Sequence, residues 1–456
     1  MQDIPLGLQS YERQTSFAPP VELVNFYIEA DQSQSEPSQV NRLQRPGLAP
    51  FTTAAGPVRA LYQQDGVQGG QSFAVASDSL QTVAADGSVS DLGTVADDGK
   101  SAKFAAAFDK LAVASGGKLY FLSGSTLTEV AIPDSDTDPE NRFARDICDL
   151  NNYIVMICPD GRFFWINPGE STIDPLDFAT AESSADGLVA CASLIGELYL
   201  FGSSSVEVWQ STGNADLPFQ RAAGRNFSKG CMHRDTVKSL DNTLFWLGDN
   251  GVVYRSSSVP MRVSNHGIEE RIAKRSGDPS ALTITYGGHE FYVLKIPGEG
   301  SFAYDVESKS WSEFASTGFT EFRPSHALNL ASGILLGDAH SGKIWTFDDT
   351  RGDDDGEVML RKVTGTVSIP SRRSIRNDSF ALRVGSSAPC SYRLRWHDGQ
   401  SSYPDNYRML PARAGVDQLT AYRLGHIRDS FRTFEVSIVD PVIARISSAT
   451  ANEAFQ

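Results

Sequence analysis

Short apolar runs separated by Gly, Asn and Asp turns recur through the middle of this chain. The clearest lie between Gly196 and Ile272. Residues 197–201 and 206–209 flank one short turn. Residues 243–247 and 252–254 flank another, Gly248-Asp249-Asn250-Gly251. Aromatic and β-branched residues in runs of this length, cut by such turns, predict β-hairpins. The same unit starts at positions 71, 109, 151, 196, 241, 288 and 332. The intervals are about 38, 42, 45, 45, 47 and 44 residues, close to a propeller blade. The pattern predicts an all-β chain whose centre, residues 60–347, is a β-propeller that protects its strand edges by radial repetition. Seven units make seven blades, or six blades plus a strand that closes the ring; six is the preferred count. No WD or kelch signature accompanies the repeat.

The flanks read differently. Residues 1–59 form an N-terminal arm and first strand: a polar stretch over 1–20, a strand over 21–29, a polar segment over 31–41, and a turn at Pro46-Gly47. Helix signals are scarce, a short one at 268–275 and a weak one at 97–108. Residues 348–357 (DDTRGDDDGE) read as an exposed acidic connector. Beyond it, longer strands at 358–369, 379–384, 391–396 and 433–439 predict a separate C-terminal β-domain over 358–456, a small sandwich.

Charge narrows the function. The formal net charge is −16. A protein that wraps DNA or tracks its groove carries a basic footprint, so that class is disfavoured. A wall past which DNA merely slides is not, because an acidic surface repels phosphate. Five cysteines, Cys148, Cys158, Cys191, Cys231 and Cys390, stand far apart with no CxxC, which predicts free buried thiols. Residues 1–20 lack a basic then apolar stretch, so no signal peptide is expected, and no run suits a membrane helix.

Catalytic signatures are lacking. The seven histidines form no HxH or HExxH pattern, which leaves zinc without support. There is no GxSxG elbow, P-loop or GxGxxG fingerprint. The acidic run lacks EF-hand spacing and reads as a solvated linker rather than a calcium loop. Propellers that cleave glycans use two opposed carboxylates, and no residue pattern selects such a pair here. The expectation is no catalytic residue, no cofactor and no metal. Two polar features stand out. Residues 211–221 make a long polar loop with one aromatic and one Arg. Together with the stretch that follows, it supplies candidate subunit or partner contacts: Gly213, Asn214, Asp216, Pro218, Phe219, Arg221, Arg225 and Lys229. The cluster Arg372, Arg373 and Arg376 is a candidate contact to an acidic partner or phosphate, set against a plain charged strand edge.

At this loop the sequence resembles the packaged-DNA-stabilisation, or tail nozzle, proteins of short-tailed bacteriophages. The central segment carries the likeness: Ile195-Gly196-Glu197-Leu198-Tyr199, Glu207-Val208-Trp209, and Gly213 to Phe219. It continues through Arg221, Gly230-Cys231, Asp241 to Gly248, Gly251 to Arg255, and Ser264 to Glu269. Further matches lie at Leu394 to Gly399, Tyr422 to Gly425 and Phe434 to Pro441, and more weakly at Val24 to Tyr27 and Arg45 to Leu48. The chain departs from the family pattern at Gly224 to Lys229, where Arg225 and Lys229 enter the loop. The resemblance implies a structural virion protein, made in the host bacterial cytoplasm. It implies a propeller-containing ring, usually of six copies, below the head-to-tail adaptor. DNA leaves through the central channel, a needle or plug closes the far end, and fibres or tailspikes attach nearby. Two other classes stay open: a carbohydrate-active or carbohydrate-binding propeller, and a scaffold propeller that binds peptides on one face.

Overall fold

The computed structural model describes residues 2–14, 19–30, 40–133, 143–181, 186–214, 217–368, 375–399, 406–427 and 431–451. Hairpin turns set the repeat. Asn151-Asn152, Asp241-Asn242 and Gly287-Gly288 each place both residues at positive φ, as does Ile195-Gly196. Two consecutive left-handed residues give the turn whose twist matches paired strands. These turns join the first two strands of successive four-stranded sheets.

Among the described residues, seven such units follow one another. Blade 1 comprises Val58–Tyr62, Ser72–Ala76, Ser79–Val83 and Val89–Thr94. Blade 2 runs from Lys103–Ala107 to Thr126–Val130, and blade 3 from Asp146–Leu150 to Phe178–Thr180. Blade 4 runs from Leu188–Leu194 to Phe219–Phe227, and blade 5 from Lys238–Leu240 to Met261–Arg262. Blade 6 holds Ser280–Tyr286, His289–Ile296, Gly300–Asp305 and Ser310–Phe314. Blade 7 takes three strands from Pro324–Leu330 to Lys343–Asp348 and its fourth from Gly47–Thr53. The first strands of the blades meet in sequence around a circle that closes from blade 7 to blade 1; a short turn bridges blades 4 and 5. The preferred count of six is therefore corrected to seven. The closing strand completes the last unit rather than standing in for one. Each repeat legible in the sequence is the middle hairpin of a blade, where both strands are apolar and buried.

The remaining strands build a β-sandwich beside blades 6 and 7. One sheet pairs Phe26–Ala30, Val40–Gln44, Ala444–Ala451, Ile375–Ser386 and Gly415–Ile427, with Gln2–Ile4 also on Ala444–Ala451. The other pairs Leu23–Val24, Arg361–Ser368, Phe431–Ile438, Cys390–Asp398 and Asn406–Ala412. Period-two alternation drives this packing: Cys390, Tyr392, Leu394 and Trp396 point into a core shared with Ile4, Leu6, Leu23, Phe26 and Ile28. The segment read as an N-terminal arm is thus part of the sandwich and of the propeller seam. Leu23–Val24 lies between Ser310–Phe314 and Arg361–Ser368, so one continuous sheet runs from blade 6 into the sandwich.

Two local readings change. Residues 97–108 are not helical; Lys103–Ala107 is the innermost strand of blade 2. The acidic stretch is not a free connector, because Asp353–Asp354 pairs in parallel with Gly47–Thr53 and Asp354 is buried. The helix predicted near 268 spans His266–Lys274, capped by the Asn265 side chain on the Ile268 N–H.

Candidate functional site

Blade 4 positions the predicted contact loop. Its third and fourth strands, Val206–Ser211 and Phe219–Phe227, are joined by a turn in which Thr212 N–H donates to Pro218 O at 2.9 Å. The Thr212 Oγ1 accepts from Asn214 N at 3.0 Å. Gly213 has φ of 72°, a conformation that suits glycine. Gly213, Asn214, Leu217 and Arg221 are exposed. Asp216 lies outside the described residues.

Phe219 and Pro218 correct the sequence reading, for both are buried. Phe219 packs edge-on against Tyr153 of blade 3 at 5.5 Å and near Trp165 at 6.0 Å. It anchors the outer strand to the neighbouring blade and offers no surface to a partner. Arg225 is also engaged within the chain. Its guanidinium donates to both carboxylate oxygens of Glu197 at 2.9 and 3.1 Å and to the Tyr199 hydroxyl at 2.8 Å. The Lys229 ammonium sits 5.7 Å from the Tyr254 ring centre. From Phe219 to Lys229 the extended chain covers about 30 Å. The candidates therefore divide between the two ends of the blade, with Gly213 and Asn214 at one and Lys229 at the other. Of the basic cluster, Arg372 and Arg373 lie outside the described residues. Arg376 is exposed and carries its own counter-charge in Asp378.

The sequence reading passed over the propeller axis. Between blades 4 and 5, the short turn Arg234–Thr236 lies across one end of the bore. It is held by Tyr292, whose hydroxyl donates to Thr236 O at 2.8 Å, and by Thr236 Oγ1, which accepts from Leu247 N–H at 3.2 Å. From this turn the Arg234 guanidinium reaches across to the carbonyls of Ser101 and Arg145, in the links after blades 1 and 2. Asp235 follows it inward, with Lys103 Nζ at 3.5 Å and Arg234 Nε at 3.8 Å from its Oδ1. Burial opposes its charge, but these cations prevail and hold the carboxyl well below the usual range. Lys238 and His326 line the same space from blades 5 and 7. Lys238 lies in the short strand Lys238–Leu240 and His326 in Pro324–Leu330, so they come from different repeats. No spacing in the sequence could have grouped them.

The described residues hold no cluster of His, Cys, Asp and Glu fit for a metal ion. No helix among them is long and apolar enough to cross a membrane. All five cysteines are free and buried.

A family model described as bacteriophage P22 Gp10, beta-propeller, matches residues 2–352. The chain belongs to that family. Membership of the P22 Gp10 propeller family, a phage stabilisation family, gives the chain a phage structural role as a virion component. No curated protein matches the sequence. Among solved structures the chain is similar to the extracellular domain of a hybrid two-component system protein from B. thetaiotaomicron. Identity there is 9%, with 92% of this chain and 62% of that one covered and a TM-score of 0.45; this chain thus spans under two thirds of that protein's length. It is similar to the WD40 propeller domain of Doa1, at 9% identity over 67% of this chain and 96% of that one, TM-score 0.43. BamB from Moraxella catarrhalis is 11% identical over 75% of this chain and 97% of that one, TM-score 0.40.

Proposed function

We propose that this P22 Gp10-family protein forms a tail nozzle: a ring of copies, six in the preferred arrangement, that holds packaged DNA in the head and gives it an exit channel. The family match over residues 2–352 carries this reading. Physical arguments support its form. Duplex DNA is wide enough for its major groove alone to take an α-helix, and the bore of one propeller is crossed by the turn Arg234–Thr236. DNA therefore passes beside the propellers, through a channel enclosed by several chains, and not through any one of them. A closed ring needs head-to-tail interfaces whose rotation returns to the start. The exposed blade 4 tip at Gly213, Asn214, Leu217 and Arg221 is the favoured contact surface, with the adaptor on one side and the plug and fibre or tailspike proteins on the other. The net charge of −16 suits a wall along which phosphate does not stick. The role is structural, without catalysis.

The test is to make phage particles with this gene disabled and to measure DNA retained in heads after a gentle wash. Heads that fill and then leak, on particles with a shortened tail, are expected. Full, stable, infectious particles would overturn the proposal.

A further inference from the structure

The bore holds more positive charge than its own carboxylates answer. Below the turn Arg234–Thr236 lies a cavity of about 200 Å³, bounded among others by Tyr62, Lys103, Asp235, Lys238, Thr283 and His326. A water takes up roughly 30 Å³ in the liquid, so the space admits a small ligand with waters around it. Two cations line it, Lys103 and Lys238, and Arg234 stands behind Asp235. Asp235 serves Lys103 and Arg234. The other nearby carboxylate, Asp146, is fully buried and already accepts backbone N–H groups from Ile147 and Cys191, each at 3.1 Å. Burial nevertheless pushes its carboxyl upward, which weakens it as a counter-charge.

Lys238 is left over. Among the described residues its ammonium makes no ion pair and no hydrogen bond, and neither does the His326 ring. The fields of Asp235 and Asp146 favour the Lys238 charge, but burial and Lys103 outweigh them and push it down to about 8. Burial and Lys238 push His326 down to about 3, against Asp235 and with Lys295 and Lys103. Lys238 and His326 are each half-buried and both line this space, where an ammonium without a partner lacks a fixed counter-charge.

We propose that this cavity binds inorganic phosphate or a like small oxyanion, which accepts from the Lys238 and Lys103 ammonium groups and from an N–H of the His326 ring. The anion supplies the counter-charge that the chain lacks at this point. The site is independent of the nozzle reading, because it lies within one chain and needs no ring. A terminal phosphate on a DNA strand offers the same chemistry, so free phosphate and a short 5′-phosphorylated single strand form the two arms of the test.

Calorimetric titration of the purified full chain with inorganic phosphate should show one saturable site. Phosphate should also raise Tm at constant ionic strength balanced with chloride. Lys238→Met should weaken phosphate binding at least about tenfold and abolish the Tm response. Lys118→Met, at an exposed lysine of blade 2, should bind as the parent does. By NMR the His326 ring should titrate at higher pH when phosphate is present. Absence of saturable phosphate binding overturns the proposal. So does equal affinity in Lys238→Met, an unmoved His326 titration, or binding of the phosphorylated strand alone.

Discussion

The Arg45 guanidinium meets the Asp354 carboxylate through two hydrogen bonds of 2.9 and 2.6 Å, and both side chains are buried. The pair joins the segment before the closing strand to the acidic stretch after blade 7. Arg45 also donates to Asn25 Oδ1 at 2.8 Å and to the Ala315 carbonyl at 2.9 Å, and lies over the Phe322 ring. Ser316 donates to Asp354 at 3.2 Å. Removing one partner strands the other charge in the interior. Asp354→Ala should cost about 3–5 kcal/mol, read as a lower denaturant midpoint. A cost within ~0.5 kcal/mol would show the seam to be held by its strands alone.

The blade 4 loop separates packing from surface. Phe219→Ala removes a ring wedged between blades and should cost about 3–5 kcal/mol. Asn214→Ala and Arg221→Ala, on exposed positions, should stay within ~0.5 kcal/mol. If the nozzle reading holds, those two weaken ring assembly by sedimentation while leaving the fold intact.

His289 links blade 6 to the sandwich. Its Nδ1 lies 2.9 Å from Asp305 and its Nε2 3.7 Å from Glu29, with Tyr27 packed on the ring. The hydrogen bond to Asp305 is the largest influence and raises the imidazole above its ordinary value, against burial. A raised base stabilises the folded state fully below its unfolded value near 6.5, and that contribution disappears as pH climbs through the folded value. His289→Gln should therefore destabilise more at pH 5.5 than at pH 8.5. Unfolding curves of both proteins at the two pH values measure the difference; equal penalties would mean that packing alone matters at this position.

Buried thiols should be inert. Burial pushes Cys158 and Cys231 up to about 12 and raises Cys191 well above its ordinary value, and the thiolate is the reactive form. Reaction with a disulfide reagent should be slow in the native chain and complete, at five thiols, after denaturation. Fast native labelling would place at least one cysteine at a moving surface.

The middle hairpin of each blade was legible because its turn and both apolar strands are local. The strand Gly47–Thr53 was not, since Pro50 sits at a register shift opposite Trp345 and its partner lies far along the chain. Tolerance of proline at such irregularities hides a strand from any local reading. Arg45 stood out only as the residue before the Pro46-Gly47 turn, and Asp354 was masked by four neighbouring acidic residues between Asp349 and Glu357. Phe219 misled for a related reason: polar neighbours suggested exposure, whereas Tyr153 and Trp165, which bury it, belong to another blade. Lys238 and His326 illustrate the same limit at the axis, where side chains from separate repeats converge.

The seam of blade 7 also dictates an order of assembly. Gly47–Thr53 leaves the ribosome early, yet its partner Lys343–Asp348 emerges only after six blades have been made. Phe26–Ala30 and Val40–Gln44 wait longer still, for Ala444–Ala451. Through that interval the early strands carry unpaired edges, the features most open to wrong pairing between chains. A premature stop in blade 7 therefore yields no smaller propeller. It releases an open one, with its first strands still seeking partners that were never made.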